Sequence, residues 1–274
     1  LEEYAKCAAR TVDVEQVPPV PPAPESLAPA PGPARPPVPE APEGWPFDAK
    51  IARERQQQAG LPVEMQIQIE DDVALDFVLI PAGSFVMGEA GGPPDEHPRG
   101  VSEMEEPFYL SKREISNREF QALVDPEHFS GFESWRSIDW RGEGHPLHDP
   151  LQPAVRVSWG QALEFCEALA ERTGQEVQLP SEAEWEWACR AGSADPLWYG
   201  TIDDDFSTAE NLAGNELEQM AFKYKPKWFL RDQRFDDEHV VSAACGSLAP
   251  NPWGLLDMHG NVAEWTRSAY APVL

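Results

Sequence analysis

The clearest periodic signal in the chain runs from Ser158 to Gly174. Leu163, Cys166, Leu169 and Ala170 fall on one face there, as an amphipathic helix requires, and Gly174 is the natural stop. Ser158-Trp-Gly-Gln161 has capping-box spacing, in which the serine oxygen and the side chain three residues on satisfy each other's free backbone amides. Ser116-Asn-Arg-Glu119 and Ser181-Glu-Ala-Glu184 repeat the device, so helices are expected to start at these points too. In the third, EAEWEWACRAG, Trp185 and Trp187 cannot lie on one stripe; one faces the core, the other packs under a neighbouring loop, and Gly192 ends the helix. Ala49 to Gln58 (AKIARERQQQ) reads as a short polar helix.

Ala74 to Met87, ALDFVLIPAGSFVM, is an apolar run broken by Pro-Ala-Gly-Ser, which predicts two strands joined by a tight turn and the start of the folded domain. Gly88 to Gly100 is a breaker-rich loop, and Pro107 to Leu110 (PFYL) a strand. Beyond Gly192 long periodic stretches are few. Trp198, Tyr199, Phe206, Trp228, Phe229, Trp253 and Trp265 argue against disorder there. A loop-rich region of this kind needs a stabiliser other than a core, and metal ions are the obvious candidate.

The N-terminal part differs in composition. Residues 1–16 read as the end of a preceding region, and residues 17–46 hold 13 prolines, an extended linker. Residues 47–70 form a short helical lead-in, and 71–274 the folded domain. The chain starts at Leu1, has no basic and apolar leader and no run of 18 apolar residues, so we expect a fragment of a longer chain. With 48 acidic against 21 basic residues the formal charge is −27, which disfavours nucleic acid and anionic membranes as partners. Some of these carboxylates are candidates to hold a hard cation such as calcium. Cys7, Cys166, Cys189 and Cys245 form no C-x-x-C pair, so a zinc ribbon or dense disulfide framework is not indicated and the compartment stays open.

Asp257-Met-His-Gly260-Asn261-Val262-Ala-Glu264 places two carboxylates around a Gly-Asn turn. Read by spacing alone this is a turn capping the next element, or a tight loop of hard oxygens suited to calcium. His145 and His148, in GHPLHDP, have H-x-x-H spacing, but no third ligand accompanies them and a solvated loop is the simpler reading. Glu184 is accounted for by its capping role, and Glu182 and Glu186 are given no catalytic one.

Four blocks, LIPAGSFVMG (79–88), PAVRVSWGQALEFCEAL (153–169), QLPSEAEWEWACRAG (178–192) and NPWGLLDMHGNVAEWT (251–266), occur in an order that resembles the formylglycine-generating enzyme, or sulfatase-modifying factor, family. The resemblance covers about Asp71 to the C-terminus. It implies an irregular mixed α/β domain with little regular secondary structure, related to the C-type lectin fold. It also implies two structural calcium sites. One would use the Asp257 side chain, the Gly260 and Val262 carbonyls and the Glu264 carboxylate. The other would use the Asn211 and Asp237 side chains with the Leu212 and His239 carbonyls, although the family pattern has glycine where Glu238 stands.

The family activity so implied is oxidation of a cysteine in a sulfatase C-x-P-x-R motif to formylglycine, with oxygen and a copper(I) held by two nearby cysteines. Those cysteines lie beyond the segment present here, so no catalytic residue is assigned. Val155-Arg-Val-Ser-Trp159, Gln178-Leu-Pro-Ser-Glu182 and Ala263-Glu-Trp265 also depart from the family pattern. The sequence therefore leaves two readings: a copper-dependent oxidase acting on a peptide, or a non-catalytic calcium-stabilised module that binds protein or glycan. A sulfoxide synthase would need an iron-binding histidine bundle upstream, which residues 1–50 do not contain.

Overall fold

The computed structural model describes residues 39–89, 99–124, 136–138, 144–201, 203–212 and 234–269. The expected stub 1–16, most of the proline-rich linker, part of the 88–100 loop, and Trp228 and Phe229 lie outside the described residues.

Four helices and seven short strands make up the regular structure among the described residues, joined by long loops in a mixed α/β arrangement. A three-stranded antiparallel sheet is built from β1 (Glu64–Glu70), β2 (Val73–Ile80) and β5 (Phe108–Ser111), with β2 central. Ile67 lies opposite Leu75, and Leu79 opposite Tyr109. β3 (Gly83–Met87) pairs with β4 (Gly100–Met104) in a second sheet. The two strands expected around Pro-Ala-Gly-Ser both exist, yet they belong to different sheets. β6 (Arg136–Ile138) and β7 (Gly144–Pro146) form a small ribbon.

Alternation along β2 gives the sheet two buried faces, because successive side chains point to opposite sides. Val73 and Leu75 join Ile69, Phe120, Val124, Phe165 and Leu169 in one core. Val78 and Ile80 join Phe85, Val86, Trp187, Trp253, Leu255 and Met258 in the other. Helix α1 (Ala49–Gln58) reaches the second core through fully buried Ala52, and Gln56 Nε2 donates to Leu79 O at 2.9 Å and Trp253 O at 3.0 Å.

All three capping boxes form, at α2 (Asn117–Gln121), α3 (Trp159–Thr173) and α4 (Glu182–Arg190). Gly174 caps α3 in the left-handed region at φ 67°. The buried stripe of α3 is Phe165, Cys166 and Leu169, so Phe165 takes the place expected of Leu163; its ring stacks on Phe120 at 5.4 Å. In α4 the two tryptophans separate as the pattern requires. Trp187 is fully buried, donates from Nε1 to Pro81 O at 2.9 Å and meets Trp253 edge-on at 4.9 Å. Trp185 instead donates to Glu264 Oε2 at 3.0 Å, which ties α4 to the 257–264 loop. A cavity of about 980 Å³ lies beside the first core, lined by Phe77, Phe108, Leu110, Phe165, Val177 and Met258 among others.

Candidate metal centre

The 257–264 loop is shaped by three residues with positive φ: Asp257 at 58°, Gly260 at 82° and Asn261 at 53°. Such backbone is unusual for side chains with a Cβ, and asparagine and aspartate tolerate it best. Gly260 is obligatory for another reason. A Cβ there would sit 2.4 Å from Asn211 O, because Gly260 bridges to Asn211 in parallel register and Asn261 N donates to Asn211 O at 2.8 Å.

Asn211 and Leu212 are brought to Asp237 and His239 by the Asp237 carboxylate. Its Oδ2 accepts from Leu212 N at 2.8 Å and its Oδ1 from His239 N at 2.9 Å. Each oxygen keeps a further lone-pair direction. Glu238, at the position where the family pattern has glycine, lies at φ 67°, the backbone conformation for which glycine is the least costly choice. Leu212, Asp237 and His239 are therefore brought together beside Asn211, and the Asn211–Gly260 bridge sets the 257–264 loop next to them, in which Glu264 Oε2 accepts from Trp185 Nε1 at 3.0 Å.

Two further buried carboxylates, Glu114 and Glu210, gather around Asp257. Asp257 is 2% exposed; its Oδ2 accepts from Gly246 N, and its Oδ1 is buried without a partner. Glu114, 7% exposed, accepts from Asn261 Nδ2 on Oε2 at 3.0 Å and lies within hydrogen-bonding reach of the Cys245 thiol and the Asp257 carboxyl. Glu210 is fully buried, with the Trp198 side chain as its hydrogen-bonding neighbour. Burial, then the charge of Asp257, pushes the Glu210 carboxyl up to about 9 and raises that of Glu114. Asp257 is raised by burial as well, against the Gly246 amide and Arg113. The Arg113 guanidinium is held elsewhere by a two-pronged ion pair with Glu119 at 2.6 and 2.9 Å.

Unpaired carboxylates in a protein interior are costly unless a cation or proton compensates them. Hard oxygens from carboxylates, an amide and loop carbonyls are the donor set calcium takes. The residues present thus fit the calcium implied by the resemblance, and the orphaned Asp257 Oδ1 is the observation that bears on it. No group of three or more His, Cys, Asp or Glu side chains converges as a metal site among the described residues; the set here depends on carbonyls. His145 lies in β7 and His148 in the turn after it, with no such group around them.

Glu114, Glu210 and Asn261 were not among the residues singled out from sequence. Glu114 precedes the Ser116 cap and Glu210 precedes Asn211, but neither position signals burial on its own. Glu184 does act as a cap: Ser181 N donates to its Oε2 at 2.6 Å, and Arg267 Nη1 binds the same oxygen at 2.6 Å.

The three described cysteines sit apart. Cys166 is buried on α3, Cys189 Sγ faces Met258 O and the His259 ring at 3.4 Å, and Cys245 lies near Arg113 and Glu114. Copper(I) takes paired, accessible thiolates, and these three do not supply them. No described helix is long and apolar enough to cross a membrane.

Comparison with known proteins agrees with this architecture. The chain is 27% identical over 237 residues to the formylglycine-generating enzyme of Bos taurus, covering 69% of the chain and 57% of that protein's length. It is 31% identical over 137 residues to the inactive C-alpha-formylglycine-generating enzyme 2 of Mus musculus, covering 48% of the chain and 39% of the relative. The structure of PvdO from Pseudomonas aeruginosa superposes with a TM-score of 0.55 at 26% identity, over 76% of each chain. The family model for the sulfatase-modifying factor enzyme 1-like domain matches residues 66–274. The chain belongs to the family of sulfatase-modifying factor enzyme 1-like domains.

Proposed function

We propose that this chain is the calcium-stabilised part of a formylglycine-generating domain, in a protein that oxidises a cysteine in the C-x-P-x-R segment of a sulfatase. Copper(I) and oxygen would supply the oxidation, with the copper held by cysteines other than Cys166, Cys189 and Cys245. In this reading calcium is bound by Asp257, Gly260, Val262 and Glu264 at one site, and by Asn211, Leu212, Asp237 and His239 at the other. The observation that carries it is the pairing of buried carboxylates with strained, oxygen-rich loops in a chain of this family. The scaffold is read as C-type-lectin-like. Calcium's role is to hold the loops that a small core leaves unsupported; it performs no step of the oxidation.

Two measurements test the proposal. Removing calcium with a chelator lowers the melting temperature, since a ligand at a hundredfold excess over its Kd stabilises the folded state by about 2.7 kcal/mol; an unchanged melting curve would remove calcium from the account. Incubating the full-length protein with a C-x-P-x-R peptide, copper and oxygen yields an aldehyde that a hydrazide probe captures. No aldehyde from folded, calcium-loaded protein would sink the oxidase reading.

A second reading is favoured by the likeness to an inactive relative at 31% identity. In it the same scaffold is a non-catalytic module that presents its loops to a protein or glycan. Absence of aldehyde together with a normal calcium response is the outcome it expects.

A further inference from the structure

We infer that residues 44–58 act as a strap that holds the base of the 251–257 loop, so that Asp257 is kept in place through Trp253. The strap lies ahead of the residues that match the family, 66–274, and its role does not depend on calcium being bound.

The strap is closed on itself as well as on the domain. Arg55 Nη2 donates to Gly44 O at 2.7 Å, and the Arg55 guanidinium lies over the Phe47 ring at 4.2 Å. Asp48 caps α1 by accepting from Lys50 N and Ile51 N at 2.9 Å each. A helix this short has little stability of its own. Its two buried residues, Ala52 and Gln56, stand about one turn apart on a single face. Trp45 is buried in the second core, and Phe47 packs against Trp187 at 5.7 Å and Trp253 at 6.1 Å. Phe47 N also donates to Gly192 O at 3.0 Å. A Cβ at Gly192 would sit 2.4 Å from the Phe47 ring and 2.6 Å from Phe47 O, so glycine there admits the strap as well as ending α4.

Trp253 carries the coupling. Its ring meets both Phe47 and Trp187, and its carbonyl accepts from Gln56 Nε2 at 3.0 Å. The same nitrogen donates to Leu79 O at 2.9 Å, so one buried side chain ties the loop to β2. Asn251 pins the start of the loop: its Nδ2 donates to Ala188 O at 2.8 Å, and its Oδ1 accepts from Trp253 N and Leu255 N at 3.1 Å. Leu256 N then donates to Lys112 O at 2.9 Å, and Asp257 follows directly at φ 58°. A buried carbonyl left without a donor is costly. Withdrawing the Gln56 amide therefore favours movement of Trp253 O toward water, and that movement shifts the short segment that ends in Asp257.

The test is native-state hydrogen exchange, read by mass spectrometry on the full chain, for the parent and for Gln56→Leu, which nearly keeps the volume and removes both donors. Amide exchange follows local opening, and at least about tenfold faster exchange is expected across 251–257. The α3 amides around Phe165 and Leu169, in the first core, should exchange as in the parent. Equal acceleration in both places would make the strap a general stabiliser of the fold, and no acceleration would make α1 a surface addition; either result overturns the inference. Should Gln56→Leu not fold, Phe47→Leu loosens the same grip from the ring side and is read in the same way. The contrast between the loop and α3 is expected in chelator as well as in calcium. Its absence in chelator overturns the inference, whatever calcium does to the parent's melting temperature, so this result and the calcium reading fail separately.

Discussion

Asn261 Oδ1 accepts from Asn211 Nδ2 at 3.0 Å, and Asn211 O accepts from Asn261 N at 2.8 Å. Two residues 50 positions apart thus form a closed exchange between the loops expected to bind calcium. The Asn261 oxygen also accepts from Ala243 N at 2.8 Å, so one side chain joins three loop segments and, through its Nδ2, Glu114.

Replacing Asn261 by alanine leaves the Asn211 amide, the Ala243 N–H and the Glu114 carboxylate short of a partner. A loss of stability on the order of 2 kcal/mol is expected from buried groups left unsatisfied. Calcium titration should weaken at both loops. Weakening at only one loop, in denaturant and calcium titrations of the variant, would show that Asn261 does not couple them.

Gly260→Ala brings a methyl group to 2.4 Å from Asn211 O at a φ of 82°. Both the clash and the positive φ act against the folded state, so more than about 1 kcal/mol should be lost. Because the clash is with backbone, added calcium should not restore the parent's melting temperature. Full restoration at saturating calcium would contradict the geometry described.

Burial opposes ionisation of Glu184, but hydrogen bonds from Arg267 and Ser181 outweigh it and hold the carboxyl below its usual 4.5. A group whose pKa is depressed on folding stabilises the protein above its unfolded value, and that contribution is lost as the pH falls through the folded value. Arg267→Ala should therefore cost at neutral pH, and the gap to the parent should close in acid. Both side chains are partly exposed, so solvent screening limits the cost to at most about 1 kcal/mol. A difference that persists undiminished into acid would rule out this linkage.

Burial pushes the Cys166 thiol up to about 11 and raises Cys189 and Cys245 as well. Thiolates are the reactive form, so all three should resist alkylation at neutral pH in the folded protein and react after unfolding in denaturant. Peptide mapping by mass spectrometry distinguishes them, and rapid native labelling of Cys189 would show that α4 opens readily.

Trp187→Ala removes the side chain at the centre of the second core, against Phe85, Phe47 and Trp253. Large aromatic truncations of this kind cost about 3–5 kcal/mol. Denaturant unfolding measures it, and a loss under about 1 kcal/mol would mean the cluster repacks.

What the sequence by itself determined is local. The three capping boxes, the Gly174 stop and α1 were legible because each depends on residues within about one helical turn of one another. The division of labour between Trp185 and Trp187 followed from helical periodicity. The four ordered blocks identified the family and pointed to the loops around Asn211, Asp237 and Asp257. Pairing was not legible: β2 and β3 adjoin in sequence yet join different sheets, and β1 supplies a paired strand from the stretch read as a lead-in.

The tertiary structure alone decided which carboxylates matter. Glu114 and Asn261 are 147 residues apart, and nothing near Glu114 or Glu210 in the chain marks them as buried. Burial depends on the segments that close over a side chain, and those come from distant parts of the sequence. Asp257, Glu114 and Glu210 acquire their raised affinity for protons from that enclosure and, for the two glutamates, from the Asp257 charge, both of which exist only once the loops have met.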